Sequence, residues 1–158
     1  MALSESAEKV QRILLEKGIQ TKVIELPDST RTAVEAAQAI GCSVEQIVKS
    51  LVFRGEKRGK AILIEASGGN RVNEKAIAGI IGEAIVKAEA DFVREATGFA
   101  IGGIPPLGHA TEMGAILIDE ELLQYNELWA AAGTPHAVFK LTPKELVAIA
   151  KGKVVSIK

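Results

Sequence analysis

Apolar and polar positions alternate along this chain in short blocks, and no single period persists for long. Val10, Ile13, Leu14 and Lys17 recur at helical spacing, and Gly18 is a natural stop. Ile19–Leu26 reads as a strand ended by Pro27. Two short helices are predicted next. In Thr32-Ala33-Val34-Glu35 and Ser43-Val44-Glu45-Gln46 a hydroxyl stands three residues before a carboxylate or amide, which is capping-box spacing, and Gly41 separates the two. Ser50–Arg54 and Lys60–Ala66 flank Gly55-Glu56-Lys57-Arg58-Gly59 and predict a hairpin with a basic tip. Asn73 can cap a helix running to about Gly79, a short strand follows over Ala84–Lys87, and a helix over Asp91–Ala96. Gly114–Ile118 and Ala137–Leu141 are strand-like, Asp119–Leu123 reads as one or two helical turns, and Glu127–Ala130 as a short extended segment. Thr142-Pro143-Lys144-Glu145 is the strongest local signal, combining an N-cap, proline at the first helical position and a capping-box glutamate. That helix runs to Ala150, Gly152 stops it, and Val154–Ile157 closes the chain as a strand. Strands and helices mix without regular β-α-β spacing, so an α+β fold with a mixed sheet and surrounding helices is expected, over a doubly wound parallel sheet. No repeat, linker or low-complexity segment divides the chain, and one domain over 1–158 is expected.

One stretch fits neither period. Gly98-Phe99-Ala100-Ile101-Gly102-Gly103-Ile104-Pro105-Pro106-Leu107-Gly108-His109 is crowded with glycine and proline and must be a loop of defined turns. Gly102 and Gly103 lack a Cβ, so their amides can come close to a ligand, and the two prolines stiffen the exit toward His109. The same composition also suits a plain tight turn.

Composition narrows the function classes. The net charge of −1 excludes a general polyanion binder, so any nucleic-acid contact must be local. Cys42 is the only cysteine, which precludes an internal disulfide and fits a reducing, cytoplasmic setting. No zinc-type spacing occurs, and neither a metal nor another cofactor is expected. The start, Met1-Ala2-Leu3-Ser4-Glu5-Ser6, lacks a basic region and an apolar core, so no secretory signal is expected, and the apolar runs are too short to cross a bilayer.

Several residues are candidates for chemistry. Lys49 lies inside the apolar run Gln46–Phe53, where it either points into a cleft toward an anionic or carbonyl oxygen or snorkels at an element end. His109 and His136 both follow glycine-containing loops and suit acid, base or orienting work, or a structural role. Asp119-Glu120-Glu121 suggests a metal site or, more simply, opposes a helix dipole. Arg54, Lys57, Arg58 and Lys60 form a basic cluster that either touches phosphates or is a solvated hairpin tip. No nucleophile elbow, Walker loop or dinucleotide fingerprint is present.

Taken in order, Arg31-Thr32-Ala33-Val34-Glu35-Ala36-Ala37, Ile47-Val48-Lys49-Ser50-Leu51, Gly98–Pro106, Ile118-Asp119 and Ala132-Gly133-Thr134-Pro135-His136 form a pattern. On these motifs the chain resembles the YbaK/ProX group of aminoacyl-tRNA editing domains, also found inserted in bacterial prolyl-tRNA synthetases. The resemblance implies a strongly curved, barrel-like mixed sheet wrapped by short helices. It implies a free-standing deacylase that hydrolyses the ester of a mischarged tRNA, Cys-tRNA(Pro) or Ala-tRNA(Pro) foremost. It implies Lys49, Gly102 and Gly103 as catalytic residues, and Thr32, Ser50, Ile101, His109, Gly133 and His136 as substrate-binding ones. The partners implied are the aminoacyl-adenosine end of tRNA and prolyl-tRNA synthetase or an elongation factor.

Physical reasoning supports the need for such an enzyme. One methylene in a pocket is worth only about 1–3 kcal/mol of discrimination, so a second sieve must remove smaller amino acids. With no nucleophile and paired base evident, direct or substrate-assisted attack of water is expected, with Gly102 or Gly103 amides as oxyanion donors. A non-catalytic tRNA- or amino-acid-binding module and a hydrolase of other small esters are the rival readings.

Overall fold

The computed structural model describes residues 3–158; the opening Met1 and Ala2 of the stretch read for a leader lie outside the described residues. Helix α1 (Glu5–Glu16) starts where the Ser4 hydroxyl accepts from the Ala7 amide, and it buries Ala7, Val10 and Leu14 at the predicted spacing. The strand expected over Ile19–Leu26 shrinks to β1 (Ile24–Glu25). The reason is Gln11: its amide nitrogen donates to Thr21 O at 3.0 Å and its amide oxygen accepts from Val23 N at 2.8 Å. Those backbone groups are thereby satisfied without a strand partner. Helix α2 (Ala33–Ile40) follows, capped by Thr32.

The second predicted helix is only a 3-10 turn, Val44–Gln46, and β2 (Ile47–Gly55) begins three residues ahead of the expected Ser50. Then come β3 (Ala61–Ser67), α3 (Glu74–Ile81), β4 (Ile85–Lys87), α4 (Ala90–Thr97) and β5 (Ala115–Asp119). A 3-10 turn (Glu120–Gln124) leads to β6 (Leu128–Ala131), β7 (Ala137–Leu141), α5 (Pro143–Ala150) and β8 (Lys153–Val155). The capping box predicted at α5 is present in both directions, from Thr142 and from Glu145.

The fold is a mixed α/β arrangement of eight strands and five α-helices among the described residues. The strands run in the order β1-β7-β6-β2-β3-β5-β8, with β4 added to β2. Pairings β2–β6, β3–β5 and β5–β8 are parallel and the others antiparallel. This path has two free ends, so the sheet does not close into the barrel that the resemblance suggested. Side-chain alternation divides it into two apolar faces. Val48, Val52 and Phe139 pack with Leu14, Val93 and Leu146 from α1, α4 and α5. Leu51, Phe53, Ile62 and Ile64 pack with Ile77 of α3 on the other face. Leu14, Phe139 and Leu146 are fully buried, each contributing about 1.5–3 kcal/mol through lost apolar exposure.

A break in the ladders places the site. On one edge β2 pairs with β6 only at Ile47 and Val48, and with β4 only from Phe53 to Gly55. Its other edge pairs with β3 from Val48 to Arg54 without interruption. Residues 49–52 therefore have one edge with no strand partner, and the sheet is parted there.

Candidate active site

A cavity of about 380 Å³ opens along that unpartnered edge. Five consecutive β2 residues, Ile47, Val48, Lys49, Ser50 and Leu51, line it, as expected of a space running beside a strand and not over one face. Trp129, Ala130 and Ala131 of β6 form the opposite wall, and Thr30, Arg31 and Thr32 close one end. Ile101, Gly102 and Ile104 come from the glycine-proline loop. The volume lies within the range of pockets that take small molecules, roughly 300–1,000 Å³.

Lys49 is half-buried on this wall and has no carboxylate within ion-pair distance among the described residues. Burial, and secondarily Arg71, push its ammonium below the usual lysine range, while Asp119 acts the other way. An ammonium held short of water and without a partner is suited to an anionic oxygen supplied by a ligand.

The glycine-proline loop is closed on itself. Ala110 N donates to Thr97 O and Thr111 N to Ala96 O, both at 3.0 Å, so its two ends meet at the end of α4. Phe99, Ile104 and Leu107 are buried beneath it. It is thus an Ω-loop packed by its own side chains. Gly102 has φ +94°, and a Cβ there would stand 2.6 Å from Arg31 Cγ. Its amide has no acceptor among the described residues. The Gly103 amide differs: it donates to Ala100 O at 3.0 Å, and Gly103 packs on the Thr134 backbone outside the cavity lining. Of the two amides expected as donors to a ligand, only that of Gly102 is uncommitted.

The remaining sequence candidates divide in the same way. Thr32, Ser50 and Ile101 line the cavity; His109, Gly133 and His136 do not. Thr32 also caps α2, accepting from Glu35 N at 3.1 Å. His109 lies at 2.8 Å from Pro105 O through Nε2, so that nitrogen carries the proton and donates. Burial holds this imidazole below its ordinary pKa, against the opposing effect of the Pro105 bond. Through Nε2 it staples the loop. His136 Nδ1 is 3.2 Å from Asp28 O, while the carbonyls of His136 and Pro135 accept from Leu26 N and Thr30 N at 2.8 and 2.6 Å. Residues 135–136 thereby hold the segment that delivers Thr30, Arg31 and Thr32 to the cavity. Gly133 links the two walls, since its amide donates to Gly103 O at 2.8 Å. At Gly133, φ is +98° and a Cβ would meet Ser6 O at 2.7 Å. Gly133→Ala is expected to destabilise the fold by at least about 2 kcal/mol, read by urea unfolding, because left-handed strain and a backbone clash coincide.

Asp119 is not a metal ligand in waiting. It accepts from Ser67 N, Asn70 Nδ2 and Glu121 N at 3.0, 2.8 and 3.0 Å. No cluster of metal-ligating side chains occurs among the described residues. Of the basic hairpin cluster, Arg58 pairs with Glu83 at 3.0 Å, and none of Arg54, Lys57, Arg58 and Lys60 lines the cavity.

Arg31 belongs to a motif that assigns it no role, and Glu65, Thr30 and Trp129 lie outside every motif. Glu65 is wholly buried in β3 and accepts from the Ser50 hydroxyl at 2.8 Å. Its other oxygen, Thr30 Oγ1 and Trp129 Nε1 are buried without partners. An acid inside the apolar run Ala61–Ser67 was the available signal, since a carboxyl is rarely buried without a purpose.

Comparison with known proteins bears on this geometry. The model of the aminoacyl-tRNA editing domain matches residues 27–149, a span that contains every residue lining the cavity. The chain belongs to the aminoacyl-tRNA editing domain family. A relative in this family, the uncharacterized protein YwhH of Bacillus subtilis (strain 168), is 34% identical over 135 residues, 85% of either chain. A crystal structure provisionally assigned as a trans-editing enzyme for prolyl-tRNA synthetase is 52% identical, with TM-score 0.92 and 99% of each chain covered. The hypothetical protein APE2540 is 27% identical, with TM-score 0.86, 94% of this chain and 98% of that one covered. Membership of this family implies tRNA binding. No helix among the described residues is long and apolar enough to cross a membrane.

Proposed function

We propose that the protein is a trans-acting deacylase that hydrolyses the ester joining a wrong amino acid to tRNA, with Ala-tRNA(Pro) and Cys-tRNA(Pro) as leading substrates. The observation that carries this reading is one cavity lined by both an unpaired, half-buried Lys49 and the uncommitted Gly102 amide. Lys49 anchors the terminal phosphate or the ester carbonyl. Arg31 on the cavity lining and Arg71 near Lys49 extend the positive field toward the nucleotide. The Gly102 N–H meets the oxyanion that forms when water attacks the carbonyl; one such donor is worth roughly 2.7–4 kcal/mol in the transition state. As water adds to the carbonyl carbon, the bond from that carbon to the ribose oxygen breaks, and the free amino acid departs. The proton lost by the water passes to that ribose oxygen, relayed by the neighbouring ribose hydroxyl, which gives up its own proton as it takes one, or by the substrate itself.

The assignment of the 52%-identical structure as a trans-editing enzyme for prolyl-tRNA synthetase supports tRNA(Pro) as the carrier and that synthetase as the partner, with an elongation factor as an alternative source of the substrate. Such a reaction belongs in the cytoplasm, where tRNA is charged. A panel of mischarged tRNAs tests the reading. Alanine or cysteine is expected to be released from tRNA(Pro) at least ~100-fold faster than proline. Tight binding of mischarged tRNA that leaves the ester intact would replace hydrolysis with a binding role; equal hydrolysis of simple aminoacyl esters would replace it with a general esterase.

A further inference from the structure

Ser50 and Glu65 stand opposite each other in the β2–β3 ladder. Ser50 is a cavity-wall residue, and its one hydrogen bond among the described residues leads inward to Glu65 Oε2. A hydroxyl has one proton and two lone pairs, so the direction of that bond decides what Ser50 offers on its other side. When Glu65 is ionised the carboxylate only accepts, Ser50 must donate to it, and lone pairs remain for a ligand. When Glu65 holds a proton it donates to Ser50, whose own proton is then free to turn outward.

Resting on the reading that the cavity receives the aminoacyl end of tRNA, we propose that Glu65 is a positioning residue that fixes the Ser50 hydroxyl as acceptor for the α-ammonium of the bound amino acid. Its placement suits this work. Glu65 is wholly buried, its second oxygen has no partner, and the cavity wall is one residue away. Neighbouring charges do not fix its state. Lys49 and Asp119 belong by alternation to the opposite sheet face. On Glu65's own face, the charged residues of α1 and α4 are exposed. There too Lys144 is exposed, Glu145 is held by Thr142 N and His109 by Pro105 O. Burial pushes the carboxyl up to about 7, and the Ser50 bond alone draws it down. Its two forms therefore interconvert where translation operates.

The probe is an amide-linked, non-hydrolysable 3′-alanylamino-3′-deoxyadenosine, titrated calorimetrically into the wild type and Glu65→Gln between pH 5.5 and 8.5. The glutamine keeps the shape and stays neutral. The ratio of the two affinities cancels the probe's own titration. It is expected to rise about tenfold in favour of the wild type, with its midpoint near 7. In a Ser50→Ala background, or with a propionyl probe lacking the amine, the ratio stays level. A purely structural glutamate would lower affinity equally at every pH and for both probes, which overturns the proposal. A readout without a variant guards against misfolding: carbon-13 detection of the Glu65 carboxyl should show its midpoint fall on adding the alanyl probe, and an unmoved midpoint overturns the proposal. An aminoacyl-Ser50 adduct in quenched turnover would also overturn it, because Ser50 would then react and not orient. Deacylation with a level ratio sinks this inference alone; a pH-dependent ratio without deacylation sinks the hydrolytic reading alone.

Discussion

Lys49→Ala is expected to lower deacylation of the responsive tRNA by about 10²–10³-fold, the scale of removing one preorganised electrostatic contact from a transition state. The loss should appear with the fold intact. Lys49 makes no ion pair among the described residues, and burial disfavours its charged form, so its removal relieves the folded state of a costly charge. Urea unfolding of the variant should therefore match or exceed that of the wild type. Lys49→Met, which keeps the length and apolar stem, should lose as much activity as alanine, because charge and not packing is what it lacks. The alkaline limb of the wild-type rate provides an independent check. A lysine held below its ordinary range sheds its proton earlier as pH rises, so activity that needs the ammonium should decline at lower pH than an exposed lysine would allow. A Lys49→Ala enzyme with unimpaired turnover would remove this residue from the mechanism.

The range of an interaction along the chain decides how legible it is in the sequence. The α5 capping box and the α1 apolar stripe are written within four residues of themselves, and both appear where expected. The strand expected over Ile19–Leu26 shortens to β1 because its competitor, Gln11, lies ten or more residues away and satisfies the backbone through a side chain. The start of β2 was missed because Ile47 and Val48 are drawn into the sheet by Trp129 and Ala130, a parallel pairing that no local pattern announces. Lys49 and the glycine loop, which line one cavity, stand out from composition and resemblance. Which loop amide remains free does not, since it depends on Ala100 O closing a turn on Gly103. The histidines stand out by residue type, yet one ring nitrogen of each is committed to a backbone carbonyl, His109 Nε2 to Pro105 O and His136 Nδ1 to Asp28 O, contacts that no local pattern announces. Glu65 went unnoticed for the converse reason. In a strand otherwise apolar up to Ser67 an acid has no local meaning, and only the register opposite Ser50 supplies one.

The second large effect is on stability. In the folded protein Glu65 keeps its proton up to about pH 7, whereas an ordinary glutamate loses it near 4.5. Between those values the native state binds a proton that the unfolded chain lacks, so stability falls as pH rises. The contribution is complete below about 4.5 and gone above about 7, and at about 1.4 kcal/mol per pH unit it amounts to roughly 3 kcal/mol. Glu65→Gln fills the same space and retains a hydrogen-bonding partner for Ser50 but does not titrate. The unfolding free energy of the variant minus that of the wild type should therefore climb by roughly 3 kcal/mol between pH 4.5 and pH 8, measured by urea titration at several intermediate pH values. Ser50→Ala should move this window upward, because the Ser50 hydroxyl is what favours the ionised carboxylate. A difference that stays level across the range would mean that Glu65 is solvated, and the buried acid behind the cavity wall would cease to be an explanation for anything the site does.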